Sequence, residues 1–222
     1  MGQLQNIITP LHTRTTRDCL GRMSDDKVAC MKIARKFEAD YWDGDRRYGY
    51  GGYRYDGRWK TVAEELIDKF DLPQSGASLL DMGCGKAHLL YEFSKLLDNP
   101  ELVGCDISSH AIAEAPAEIR HALFRQRAQD TYPFEDDAFD LVLSIGTLHN
   151  LTLPDLKASL LEIERVGKKK YLLVESYRNE EELFNLQCWA LTCESFYRPE
   201  EWTWMFREFG YSGDFEFIYF ES

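Results

Sequence analysis

The stretch SLLDMGCGKAHLLYEFSKLLDNPELVGCD, residues 78–106, decides the fold. It opens on a short apolar run, 78–82, of the kind a strand buried on both faces requires. Gly83, Cys84 and Gly85 then form a turn, and Leu89, Leu90, Phe93, Leu96 and Leu97 recur at the spacing of one helix face. A second short run, 102–106, ends at Asp106. Strand, turn, helix and strand in this order make a βαβ unit with parallel strands. Glycines at a strand-to-helix turn let the backbone bend tightly and approach a ligand, while the helix N-terminus offers unpaired N–H groups to an anion. Asp106 follows Gly85 by 21 residues, where a carboxylate can accept both hydroxyls of a ribose. The turn therefore predicts a nucleotide site.

The same alternation continues on the C-terminal side. Short apolar runs at 123–128, 140–145 and 170–176 read as three further strands. Leu156, Leu160 and Ile163 mark a helix between the last two, with Thr152 as its N-cap and Pro154 in its first turn. Pro116 keeps the helix after the second strand brief. Residues 180–193 and 199–209 read as helices and 215–220 as a final strand; the 12 residues after Gly210 suffice for one strand and not for a hairpin. Upstream, 60–70 is an amphipathic helix with Val62, Ala63, Leu66, Ile67 and Phe70 on one face. These elements predict an α/β fold, a mostly parallel sheet with helices on both faces. Residues 60–222 form its ligand-binding domain and 1–59 an N-terminal arm that acts as a lid.

Composition narrows the function. At 222 residues with 44% hydrophobic and 29% charged residues, the chain has material for one buried core, which excludes disorder of the whole. No apolar run approaches the roughly 20 residues of a membrane helix. The first 13 residues carry neither the basic nor the hydrophobic part of a secretion signal, so a cytoplasmic location is expected. Six cysteines without a CxxC pair or clustered histidines read as reduced thiols, with no metal site. A net charge of −12 disfavours nucleic acid as a partner and leaves a small molecule as the expected one. Oligomeric state is not legible.

Two cofactor classes use a glycine turn followed by a carboxylate. A dinucleotide fingerprint needs its third small residue at 88, yet 88 is His and the small residue is Ala87. LLDMGCGKA instead resembles the first motif of the class I S-adenosylmethionine-dependent methyltransferases, with Ala87 in place of a final Gly. GCDIS (104–108) and YPFEDDAFDLVLSIGTLHNL (132–151) are similar to later motifs of that family, so the likeness covers 78–151. It implies a Rossmann-like methyltransferase fold with S-adenosyl-L-methionine held by Asp81, Gly83, Gly85 and Asp106. Ile107 would pack on adenine, with Ala128, Gln129, Asp130 and Ser144 around the nucleoside. The family commonly places an acidic residue where Ala128 stands, so Gln129 or Asp130 has to replace it.

Methyl transfer requires the acceptor atom in line behind the methyl, about 3–3.5 Å away, more than it requires covalent help. A hydroxyl acceptor benefits from a base, and His149, at the carboxyl end of the fourth strand, is one candidate. In the family such a His often only packs beside the cofactor. Glu175 and Tyr177, after the fifth strand, compete for the acceptor. Residues 41–59, YWDGDRRYGYGGYRYDGRW, hold seven aromatics, five Gly and four Arg, and read as an ordered loop. As an active-site lid it would use Tyr48, Tyr50, Arg54 and Arg58 to shield a sulfonium and bind the substrate. As a bland loop its rings would fill the domain edge. The expected reaction is methyl transfer to an oxygen, with nitrogen second, of a small polar metabolite, an anionic one among the options. The alternative is a degenerate fold that serves as a binding or scaffold protein.

Overall fold

Six strands assemble as the apolar runs require: β1 (Ser78–Met82), β2 (Glu101–Asp106), β3 (Leu123–Arg125), β4 (Phe139–Ile145), β5 (Gly167–Glu175) and β6 (Asp214–Ile218). A computed structural model describes residues 2–13 and 15–221. The strands form one sheet in the order β3-β2-β1-β4-β5-β6, and every neighbouring pair is parallel. The chain order reverses between β1 and β4, so the loops after these strands open a crevice at the carboxyl edge of the sheet. β6 pairs in parallel with β5.

Among the described residues ten α-helices accompany the sheet: α1 (Thr9–His12), α2 (Cys19–Ser24), α3 (Lys27–Ala34), α4 (Ala39–Trp42), α5 (Trp59–Lys69), α6 (His88–Leu96), α7 (Ser109–Ala113), α8 (Leu153–Val166), α9 (Glu180–Trp189) and α10 (Pro199–Glu208). Alternation along the strands sorts two cores. Leu79, Leu141, Leu143 and Leu173 face α5 and α6, meeting Leu66, Leu90 and Phe93. Leu80, Val142, Leu172 and Val174 face α8 and α10, meeting Leu160, Trp202 and Phe206. At about 25 cal/mol per Å², each such fully buried side chain contributes roughly 1.5–3 kcal/mol. None of the ten is long and apolar enough to cross a membrane.

Two expectations change. The helix read over 180–193 stops at Trp189, because the Lys27 ammonium donates to the Gln187 and Cys188 carbonyls and ends the ladder. Residues 1–59 are not one arm. Gln5 N–H donates to Phe215 O, Phe215 N–H donates to Gln3 O, and Leu4 lies parallel to β6 as a seventh position at the sheet edge. The buried Glu216 carboxylate accepts the N–H groups of Ile7 (2.7 Å), Ile8 (3.0 Å) and Thr9 (2.5 Å), and the Tyr171 hydroxyl donates to it from β5. Residues 3–9 thus pack on the sheet, and the covering segment begins after them.

Candidate active site

The turn after β1 can be built only from small residues. Gly83 and Gly85 have φ of +83° and +55°. A Cβ on Gly83 would lie 2.0 Å from Thr147 Oγ1, and one on Gly85 would lie 2.6 Å from the Trp42 ring. Gly83 and Cys84 donate to Cys105 O, which locks the turn to β2 (2.7 and 3.0 Å). α6 then starts without a side-chain cap, leaving its N-terminal end to a ligand.

Asp81 sits beneath this turn. It is 3% exposed and lines a cavity, and among the described residues its Oδ1 has no partner. Burial, and then the neighbouring Asp106 charge, push its carboxyl up to about 7. Asp106 ends β2 with Oδ2 accepting from Gly85 N–H and Oδ1 from Ser108 N–H, each 2.8 Å. A buried orphan carboxylate oxygen facing a cavity, beside a glycine cradle, matches a ligand that carries a cationic group.

The covering segment closes over the tips of β1 and β2. Trp42 Nε1 donates to Ser108 Oγ (3.0 Å), and the Glu38 carboxylate accepts from the N–H groups of Ser109 and His110. Asp43 pairs with Lys86 (2.6 Å) and His110 (2.7 Å). Under this cover Asp106 does not face the cavity, and Ile107 lies outside it, 38% exposed. Ala128, Gln129, Asp130 and Ser144 are also absent from its wall. The Ala128 carbonyl is taken by the Tyr132 and Ser159 hydroxyls. Ser144 is fully buried and donates to Met82 O, joining β4 to β1, so its hydroxyl is turned away from a ligand.

The cavity, about 630 Å³, runs from the glycine turn to Glu175 and Trp189, within the size range of small-molecule sites. At its floor His149 Nδ1 accepts the Glu175 N–H (3.2 Å), which puts the ring proton on Nε2, 3.4 Å from Glu175 Oε2. The neutral ring therefore has no free lone pair. Burial lowers the His149 pKa, with the Glu175 charge opposing. Both ring nitrogens of His149 are thus engaged, and the Glu175 carboxylate lines the cavity beside it.

The 41–59 segment divides. Tyr50 stacks on Trp42 (5.1 Å, 3°), Tyr53 stacks on His88 (4.9 Å, 16°), and both line the cavity with Arg54. Arg58 also reaches the wall but is paired with Asp56 (2.5 Å). Tyr48 points elsewhere, into a small core with Cys30, Ala34 and Leu191. Tyr177 lies off the cavity beneath Arg198 (5.6 Å). Neither of these two expected substrate contacts lines the cavity. Sequence reasoning missed Arg17, Arg22, Arg46 and Trp189, which form the far wall. Nothing periodic marks Arg17 or Arg22; Arg46 stood within the segment of unusual composition.

An all-parallel sheet with a glycine-lined crevice at its carboxyl edge is a Rossmann-like fold, and the family it matches makes it a methyltransferase. A methyltransferase-domain family model matches residues 73–210, and the chain belongs to that family, whose cofactor is S-adenosylmethionine. The zebrafish (Danio rerio) protein named arginine-hydroxylase NDUFAF5, mitochondrial, is 28% identical over 136 residues, 61% of this chain and 41% of the relative. The uncharacterized methyltransferase YcgJ of Bacillus subtilis is 27% identical over 110 residues, 46% of this chain and 42% of that one. The chain spans about two fifths of the length of these curated relatives. A putative methyltransferase from Bacillus halodurans shares the fold with TM-score 0.54 at 20% identity, covering 67% of this chain and 68% of the other. Geranyl diphosphate C-methyltransferase from Streptomyces coelicolor does so with TM-score 0.53 at 14% identity, covering 66% and 58%.

Proposed function

We propose that this chain transfers a methyl group from S-adenosylmethionine to an oxygen of a small polar, anionic metabolite, with Glu175 as the base. The observation that carries this reading is one cavity walled by the Asp81 and glycine-turn surface at one end and by the Glu175 carboxylate at the other. When bound, the cofactor supplies an electrophilic methyl on a sulfonium. Asp81, Gly83 and Gly85 would hold its amino-acid end. Asp106, Ile107 and the 128–130 backbone would meet its nucleoside once the Trp42 cover lifts. Glu175 accepts the hydroxyl proton as the acceptor oxygen becomes nucleophilic, and the His149 Nε2–H opposite Oε2 holds the carboxylate in place. Tyr50, Tyr53 and Trp189 keep water from the reacting atoms. Residues 10–59 act as the lid, and the site of action is the cytoplasm.

An arginine substrate, suggested by the name of the zebrafish relative, is disfavoured because Arg17, Arg22 and Arg46 would repel it. The acidic chain likewise disfavours nucleic acid. Calorimetry with S-adenosylmethionine and its demethylated product tests the cofactor half, and methyl transfer to a panel of hydroxylated anions tests the rest. Binding of neither compound at millimolar concentration to folded protein removes the proposal. Binding without turnover on any acceptor favours a scaffold.

A further inference from the structure

Three guanidinium groups converge on one indole at the acceptor end of the cavity. Arg22 lies 3.8 Å from the centre of the Trp189 ring, Arg46 5.0 Å and Arg17 5.6 Å. Like charges gathered on one ring repel, yet among the described residues none of the three forms an ion pair. Their hydrogen bonds go mainly to backbone carbonyls. Arg22 donates to Arg46 O (2.6 Å) and Gly49 O (3.2 Å), Arg46 to Gly49 O (2.7 Å) and Tyr50 O (3.1 Å), and Arg17 to Thr15 O (2.9 Å). Such bonds fix the side chains without neutralising them. Arg17 Nε is buried and has no partner among the described residues, a donor that lacks an acceptor.

The cavity's carboxylates offset only part of this charge. Glu175 acts on Arg17 without an ion pair to any of the three among the described residues, Asp56 is engaged by Arg58, and Asp81 stands below the glycine turn. We infer that Arg17, Arg22 and Arg46 form a binding site for the phosphate group of a phosphorylated methyl acceptor. The inference deepens the methyl-transfer reading and rests on it for the role of the bound molecule. A carboxylate would offset one of three positive charges. A phosphomonoester or diphosphate offsets two or more, and its oxygens match the planar forks of arginine. Burial lowers the Arg22 pKa to about 10, with the Arg46 charge adding to it, as expected of a cation held without a counter-ion. The Trp189 ring gathers the three guanidiniums on one apolar surface of the cavity wall.

The test is calorimetry on the full chain at constant ionic strength with three probes: inorganic phosphate, pyrophosphate and acetate. Phosphate and pyrophosphate are expected to bind at least about tenfold more tightly than acetate. Arg22→Gln and Arg46→Gln should each weaken phosphate at least about tenfold, Arg22→Lys less, while affinity for the demethylated cofactor product changes less than about threefold. Equal binding of acetate and phosphate, or phosphate binding indifferent to both Gln variants, overturns the inference. If the Gln variants fail to fold, phenylglyoxal labelling of the unaltered protein decides. Phosphate should shield Arg17, Arg22 and Arg46 from labelling and leave the surface Arg35 unshielded; no differential shielding refutes the site. Phosphate behaving as expected with no binding of the cofactor product would sink the methyl-transfer reading and leave the anion site standing. Cofactor binding with no phosphate site does the reverse.

Discussion

Replacing Asp81 by Asn should make the ligand-free protein more stable in neutral and alkaline solution. The carboxyl is 3% exposed, an oxygen of it has no partner among the described residues, and its pKa rises from 3.8 to about 7. Such a displacement corresponds to about 4 kcal/mol. The sign follows from proton counting: between the two pKa values the folded state holds a proton that the unfolded chain has released, so stability falls as pH rises through that window. Asn cannot ionise. The variant should match the unaltered protein near pH 4 and exceed it by up to about 4 kcal/mol near pH 8, the gap opening between about pH 4 and 7. Urea unfolding of both proteins across that range reads the gap directly. The same substitution should weaken S-adenosylmethionine binding, because the carboxylate that costs stability is the one that meets the ligand's cationic end. A gap that does not change with pH, or a variant less stable near pH 8, would refute the account of Asp81 as a group strained for want of a cation.

Three further outcomes are expected. Glu175→Gln should lower kcat by about 10²–10⁴ with intact cofactor affinity. His149→Asn should cost less and leave the shape of the pH–rate profile unchanged, since burial lowers the ring's pKa and keeps it neutral through its ordinary titration range; a profile limb that disappears with His149 would restore it as the base. Gly85→Ala places a methyl 2.6 Å from the Trp42 ring at a φ of +55°, so it should cost about 1–3 kcal/mol in urea unfolding and disturb tryptophan fluorescence. Unaltered stability would mean that Trp42 does not rest on the turn. Glu216→Gln leaves the N–H groups of Ile7, Ile8 and Thr9 with one acceptor oxygen where they had two, at a site 1% exposed. It should destabilise by about 2–3 kcal/mol, and proteolysis should cut first near the N-terminus.

The sheet was legible because parallel strands buried on both faces must be short and apolar, and each of the six runs had no other use. Strand ends moved by one to three residues, since the ladder of the neighbour and not the run itself ends pairing: β3 was read to 128 and stops at Arg125. The glycine turn was legible for a steric reason, as no residue with a Cβ fits against Thr147 or Trp42. The far wall was not. Arg17 and Arg22 lie more than 150 residues of chain from Trp189 and meet it because α2 and the residues before it pack on α9, a contact that no local periodicity records. Tyr48 illustrates the converse: its place in an aromatic, glycine-rich stretch suggested a ligand contact, but the turn after it directs the ring onto Ala34 and Leu191. The hydrogen bond that sets the His149 tautomer comes from the neighbouring strand and leaves no mark in the residues around it.

The pairing of Gln3 and Gln5 with Phe215 places the two ends of the chain side by side on β6. During synthesis residues 3–5 have no edge to join until residues 214–218 have left the ribosome. β1, β2 and β4 can associate early, whereas the N-terminal segment, and with it the roof over the crevice, waits for residues 214–218. Nascent chains stalled before that point should already hold the glycine turn while leaving the arginine-bearing segment accessible to protease. Ligand binding competence then depends on β6 having formed.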